Sequence, residues 1–383
     1  MRAVAIVFIV MSVSLLLATW LGYPLWLRVR ATGQRVPHRA GPHAWWPSVT
    51  IVVVVRNADA SLSALLRNLV ALAYPADRRK ILVVSDASDD FTDAVARSME
   101  HRGVELLRIM RPMGAARAVN VARRHVRSDI VVMVDPAARL APAALAALVS
   151  PFSDPTVGVT YGHEVETLAT GEAAKESPYR AFEAMLRERE TRIFGTVSAR
   201  RTLYAMRGPL FHAPVSPWLS PDFLLALLAR EHGYRALHVD EAECVLSRPS
   251  SLQRDYARTV WAVGRDVLTL MRKPRLLNPA RYGDFSWMLL GHKVGRWLTP
   301  WALLAGLAGV GVLATQEPWA RTVALLIASL GLATIALSMV PVRGATSRIV
   351  SLPGRLLSTT LAIAHASVRA LRAAPAAMQV RSR

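Results

Sequence analysis

Cysteine is nearly missing from this chain. Cys244 stands alone among 383 residues, so no intrachain disulfide can form, and it reads as a small buried residue near a strand. Acidic residues are also scarce: 27 Asp and Glu face 47 Lys and Arg, a formal net charge of +20. Such an excess usually marks a nucleic-acid binder. The sequence carries no zinc-ligand spacing, no RNA-binding signature and no helix-turn-helix, and no nucleic-acid partner is expected. The basic residues are mostly arginine and gather beside apolar segments. Arg28, Arg30, Arg35 and Arg39 follow the first; Arg343, Arg348, Arg369 and Arg372 lie near the last. That placement suits an anionic cytoplasmic leaflet.

Charge is absent altogether from Ala3 to Gly22. As a helix this stretch crosses roughly 30 Å of hydrocarbon. No small-residue cleavage site follows; Tyr23-Pro24-Leu25-Trp26 and arginines come instead, so residues 1–26 are expected as a retained anchor and not a signal peptide. One positive charge precedes the segment and several follow, which places the next domain in the cytoplasm. A linker rich in Pro, Gly, His and Trp covers 27–46, and the main domain is expected over 47–272. Residues 273–383 are apolar again. Trp287 to Trp297 reads as interfacial, spans are expected near 298–315 and 322–340, and Arg355 and His365 mark an amphipathic helix near 349–372. The expected location is a bacterial-type inner membrane, crossed more than once.

Between these apolar ends the pattern alternates. Strand-like runs at Val49–Val55, Lys80–Ser85, Val104–Ile109, Ile130–Val134 and Val157–Tyr161 are separated by helix-period segments. One helix between successive strands implies right-handed crossovers and a parallel α/β sheet covered on both faces. A charged helical segment, Glu172–Arg192, follows. Then come a strand at Thr202–Arg207, a helix from Asp222 with Ser220 as N-cap, a strand at Arg235–Val239 and a helix over Gln253–Met271. The fourth strand delivers Asp135 to its carboxyl end, where open α/β sheets bind ligands. Asp86 ends the second strand in the same way.

The order and spacing of several blocks resemble the membrane-anchored family 2 glycosyltransferases, the group that includes hyaluronan and cellulose synthases. The resemblance runs from Pro47 to the C-terminus. Its blocks are Pro47 to Asn57, Ala71-Leu72-Ala73-Tyr74-Pro75, Ile81 to Asp90, Gly114 to Asn120, Val134-Asp135, Pro221-Asp222-Phe223 with Gly233-Tyr234-Arg235, and Gly291 to Pro300. It implies a GT-A fold, a Rossmann-like nucleotide-sugar-binding domain. It also implies an inverting transfer from a nucleotide sugar, a UDP-sugar, to a lipid-linked or envelope glycan acceptor. In that pattern Asp222 is the catalytic base. Arg56, Asn57, Asp86, Asn120, Asp135 and Arg258 contact the donor, and Asp135 holds a divalent Mg2+ or Mn2+.

The chemistry needs these residue types. A carboxylate suits a base that takes the acceptor hydroxyl proton. A metal held by oxygen ligands neutralises the departing diphosphate, and a guanidinium fork at Arg258 fits phosphate oxygens.

The sequence departs from the family pattern at Ala58, Ala115, Ala137 and Pro221, and Gln253, Arg258 and Trp261 do not keep the Gln-x-x-Arg-Trp spacing of processive synthases. The alanines keep open a second function: a non-catalytic relative serving as membrane scaffold or protein partner of an active transferase. A nucleotidyltransferase is disfavoured, because no basic glycine-rich triphosphate loop follows the first strand. Bland readings stand beside several residues. Asp86, Asp135 and Asp222 could be helix-capping or dipole charges, Asn57 a turn former, and Asp89 and Asp90 solvated turn residues. His212, His238 and His292 read as core or interface histidines, and Trp297 and Trp301 as interfacial anchors.

Overall fold

The computed structural model describes residues 1–33, 45–166, 178–197, 201–213, 216, 218–246, 252–339 and 347–379. Parts of the linker at 27–46, the start of the charged segment after Glu172 and the end of the 322–340 span lie outside them. The chain begins with α1 (Arg2–Leu17) and α2 (Tyr23–Ala31). The sheet region then runs β1 (Val49–Val55), α3 (Asp59–Val70), β2 (Arg79–Asp86), α4 (Thr92–Arg97), β3 (Val104–Ile109), α5 (Ala115–Ala122), β4 (Ile130–Val134) and β5 (Ala138–Leu140). It continues through α6 (Ala144–Val149), β6 (Val157–Glu166), α7 (Pro178–Ile193), β7 (Leu203–Arg207), α8 (Gly208–Phe211), α9 (Pro221–Glu231) and β8 (Arg235–Leu246). After it come α10 (Leu252–Met271), α11 (Pro279–Tyr282), α12 (Asp284–Met288), α13 (Gly295–Ala314), α14 (Pro318–Met339) and α15 (Ser347–Gln379).

Two compact units result: Leu27–Pro249, and Met1–Trp26 with Ser250–Arg383. In the first, eight strands form one sheet in the order β3-β2-β1-β4-β7-β6-β8-β5. The β-branched runs of β1 and β4 are buried along their length, as strands covered on both faces must be. Below the sheet, Leu62, Leu65, Leu66 and Leu69 of α3 and Leu145 and Leu148 of α6 pack on Ile51, Val53 and Val132. Above it, Ala118 and Ala122 of α5 and Leu225, Ala226 and Ala229 of α9 pack on Val52, Val131, Met133 and Tyr161.

The sheet is mixed, which corrects the parallel sheet expected from the helix–strand alternation. β7 pairs antiparallel with both β4 and β6, and β5 antiparallel with β8. A strand's own residues do not encode its direction. Here the reversal depends on Gly208, whose N–H donates to the Asp129 carbonyl at 2.8 Å. A Cβ there would lie 2.8 Å from the Ser128 carbonyl oxygen, so only glycine lets the end of β7 lie so close to the start of β4.

The second unit is helical. α1 packs on α13 through small residues: Gly306 faces Ser12, and Gly309 faces the Ala5 carbonyl. Trp20 Nε1 donates to Thr299 Oγ1 at 3.2 Å, and Arg2 and Glu317 pair at 2.9 Å. α10 packs on α15 around Val260, Ala362 and Ala366. Two helical runs, Arg2–Ala31 and Asp284–Ala314, are long and apolar enough to cross a membrane, with mean hydropathies of 2.6 and 1.6.

Candidate active site

The carboxyl ends of β1, β2 and β4 carry the expected residues, and the local backbone there is unusual. Asn57 and Ala87 are the non-glycine residues with positive φ, +50° and +53°, among the described residues. They follow β1 and β2, neighbours in the sheet. Left-handed backbone in such residues costs free energy and concentrates at ligand sites.

These two turns are laced together by main-chain donors. Asn57 N–H donates to Ser88 Oγ at 3.2 Å, Ala58 N–H to Thr92 Oγ1 at 2.8 Å and Asp59 N–H to Asp90 Oδ2 at 3.2 Å. Asn57 Oδ1 in turn accepts from Asp89 N–H at 3.1 Å. Asn57 is therefore a turn former with a cross-loop bond, and Asp90 anchors the loop where the sequence led us to expect a solvated turn. Arg56 is exposed beside them.

Asp86 is buried at 3% exposure and has both oxygens engaged. Oδ1 accepts from Met113 N–H at 2.9 Å and Oδ2 from Gly114 N–H at 2.8 Å. It thus ties the end of β2 to the loop that opens α5. Gly114, with φ +83°, makes the left-handed turn there. Asn120 is half-buried on α5.

Asp135 sits one residue beyond β4, its N–H donating to the Thr202 carbonyl at 2.9 Å. Its Oδ1 accepts the Ala137 N–H at 2.9 Å, a local turn that aims the carboxylate. Ala137 contributes only this backbone donor. Thr202 Oγ1 donates to Glu164 Oε2, so a second acid at the end of β6 joins the network around Asp135. The sequence reading missed Glu164, because nothing in the pattern of β6 says that β7 will carry Thr202 between it and β4. An oxygen-only donor at a strand end fits Mg2+ or Mn2+, with most of the coordination left to diphosphate and water oxygens.

Asp222 opens α9 and is buried at 8% exposure. Ser220 Oγ donates to its Oδ1 at 2.9 Å, and the Tyr161 hydroxyl donates to its main-chain carbonyl at 2.7 Å. Ser220 is the N-cap by position, but its hydroxyl serves the carboxylate and makes no capping bond. Tyr161 and Tyr204 lie with ring centroids 6.3 Å apart. Burial, and then the negative charge of Asp222, push both phenols well above the ordinary tyrosine range, so both stay neutral and the Tyr161 hydroxyl keeps its proton to donate. Arg123 sits under the same face, 5.5 Å from the Phe211 ring, and burial lowers its guanidinium to about 10. Sequence reasoning had passed over both tyrosines, since a Tyr on a strand reads as core.

Asp135 and Asp222 come to the same face of the sheet. Tyr204 pairs with Met133 across β7 and β4 and with Tyr161 across β7 and β6. Asp135 follows Met133 by two residues and so shares its face, and Tyr161 on that face holds Asp222. Arg258 belongs to the other unit, exposed on α10 with its guanidinium 3.7 Å from Asp255.

Residues 47–263 match the model of the family described as glycosyltransferase like family 2. The beta-monoglucosyldiacylglycerol synthase of Synechocystis sp. is 29% identical over 117 residues, 30% of this chain and 24% of that protein. An uncharacterised protein of Mycobacterium tuberculosis is 30% identical over 115 residues, 30% of this chain and 35% of that protein. The chain thus spans about a quarter to a third of the curated relatives it matches. A solved mannosyltransferase from Pyrobaculum calidifontis, in complex with GDP-Man and Mn2+, superposes with a TM-score of 0.73 at 22% identity. The match covers 95% of this chain and 99% of that one, a likeness of fold.

Proposed function

The chain belongs to the glycosyltransferase like family 2, and from that premise we propose a membrane-anchored glycosyltransferase that transfers sugar with inversion from a nucleotide-sugar donor, a UDP-sugar, to a lipid-linked or envelope glycan acceptor. The observation that carries this reading is the placing of Asp135 and Asp222 on one face at one end of the sheet, joined through Tyr161, Tyr204 and Met133.

In this reading Asp222 accepts the proton of the acceptor hydroxyl as that oxygen bonds to the anomeric carbon. The bond from that carbon to the diphosphate breaks, and the nucleoside diphosphate departs with the electron pair. Ser220 and Tyr161 orient Asp222, and burial at the start of α9 keeps its carboxylate in a fixed position. Asp135 would hold a divalent ion, which neutralises charge on the diphosphate when bound; Mn2+ in the mannosyltransferase complex supports that choice. Asp86, Asn57 and Arg56 frame the pocket for the nucleoside, and Asn120 stands on its α5 side.

Residues 1–26 and the spans near 298–315 and 322–340 serve as anchors, with 47–272 cytoplasmic and 349–372 lying on the membrane. The Synechocystis relative, named as a synthase of a glucosylated diacylglycerol, supports an acceptor of lipid character.

The test uses the full chain in lipid nanodiscs with Mn2+, a panel of UDP- and GDP-sugars, and diacylglycerol or polyprenyl phosphate acceptors. Transfer from a UDP-sugar is expected, with Asp222→Asn lowering kcat at least about 100-fold while donor affinity changes little. Retained activity in that variant would remove Asp222 as the base, and turnover of GDP-sugars alone would remove the UDP assignment.

A further inference from the structure

The bulge where β8 pairs with β6 holds a second constellation that the transfer chemistry does not use. β6 and β8 pair in parallel with Tyr161 opposite His238 and Gly162 opposite Val239. The register then jumps, so that His163 meets Glu243 and three residues, Asp240 to Ala242, are extruded from β8. Such a bulge re-aims the side chains beside it. It also needs Gly162, where a Cβ would lie 2.7 Å from the Ala242 carbonyl oxygen.

The consequence is a convergence of three ligand-type atoms. His238 Nε2 lies 3.2 Å and His163 Nδ1 3.8 Å from Asp240 Oδ1, and all three atoms are within 4.8 Å of one another. The His238 side chain is only 5% exposed, and its Nε2 faces the Asp240 carboxylate.

We propose that His163, His238 and Asp240 form a zinc-class metal site that clamps the bulge of β8 to β6. Donors bonded to one tetrahedral ion at about 2.0–2.2 Å stand somewhat over 3 Å apart; the two distances to Asp240, 3.2 and 3.8 Å, bracket that value, and all three donors lie within 4.8 Å of one another, so small side-chain shifts would close the site. Two imidazoles and one carboxylate are a common zinc set, with water taking the fourth position. Asp240, 55% exposed, leaves that position open to solvent. The site is not the one at Asp135. β7 and β6 separate His163 from β4 by two strand spacings of about 4.8 Å each, and the ligand chemistry differs, nitrogen-rich here and oxygen-only there.

The test takes tag-free full chain in detergent, stripped with a chelator, and titrates Zn2+ against a chromophoric competitor, with Co2+ as a spectroscopic probe. One equivalent of Zn2+ bound more tightly than about 1 µM is expected, together with visible Co2+ bands of a tetrahedral site and a Zn2+-dependent rise in Tm. His163→Gln and Asp240→Asn, both at accessible positions and checked for folding by circular dichroism, should each weaken Zn2+ at least about 100-fold and abolish the Tm rise. Asp135→Asn should leave Zn2+ binding unchanged. Absence of binding, wild-type binding in either variant, or loss of binding in Asp135→Asn would each overturn the proposal.

Discussion

Replacing Asp86 by Asn asks whether this carboxylate serves the donor, the loop, or both. Its two oxygens accept from Met113 and Gly114 at 2.9 and 2.8 Å in a buried setting. Asparagine keeps one acceptor and turns an NH2 group toward the other main-chain N–H. One hydrogen bond to a charged group, worth about 1.5–3 kcal/mol, is lost, and two donors are left opposed. The sum comes to about 2–4 kcal/mol of stability. For a unit of the size of Leu27–Pro249, about 2–4 °C per kcal/mol converts this to a drop in Tm of roughly 5–15 °C. Thermal unfolding followed by tryptophan fluorescence reads it, alongside UDP titration of the same samples. The loop held by Asp86 opens α5, so UDP affinity should fall together with Tm. A variant whose Tm stays within about a degree of the wild type while UDP binding is lost would refute this, because Asp86 would then act only as a ligand contact.

Three further outcomes follow from single contacts. Gly162→Ala places a Cβ 2.7 Å from the Ala242 carbonyl and 2.8 Å from Leu203 Cδ2, and should destabilise the unit by about 1–3 kcal/mol in urea unfolding. Tyr161→Phe removes one donor from the Asp222 carbonyl; a loss of about 0.5–1.5 kcal/mol is expected, with a fall in kcat larger than any change in KM. Ser48, through its hydroxyl at 2.6 Å and its N–H at 3.0 Å, holds the Asp129 carboxyl below the usual carboxylate range. A folded pKa below the unfolded one gives stability that is full above about pH 4 and drains as pH falls through the folded value. Asp129→Asn should therefore flatten the acid limb of a Tm-against-pH curve, and an unchanged limb would contradict the assignment.

Much of the fold was legible before any coordinates. Val49–Val55 and Ile130–Val134 were read to the residue, because a run of β-branched side chains covered on both faces has few other uses; Val104–Ile109, an edge strand with Glu105 and Arg108 exposed, was read from its apolar residues between turns. The positions of Asp135 at a strand end and of Asp222 at a helix opening were legible for a related reason: a charged residue at the end of an apolar strand, or at the opening of an apolar helix, breaks a simple pattern. The antiparallel insertion of β7 was not legible, since direction depends on where Gly208 can approach Ser128 and Asp129, some eighty residues earlier. Asp90 was misread for the same reason, its partner Asp59 lying beyond another strand and turn.

The chain's own order of apolar runs, punctuation and charge therefore determined an alternating α/β unit flanked by apolar helices, because burial acts on each segment through its local period. Tertiary structure alone decided what the strand ends meet. It put Tyr161 under Asp222 and Glu164 beside Thr202. His238, read from the sequence as a core histidine, it set against His163 and Asp240 through a bulge that Gly162 permits. Those meetings join residues that are far apart in sequence, and only the register of the closed sheet brings them within bonding distance.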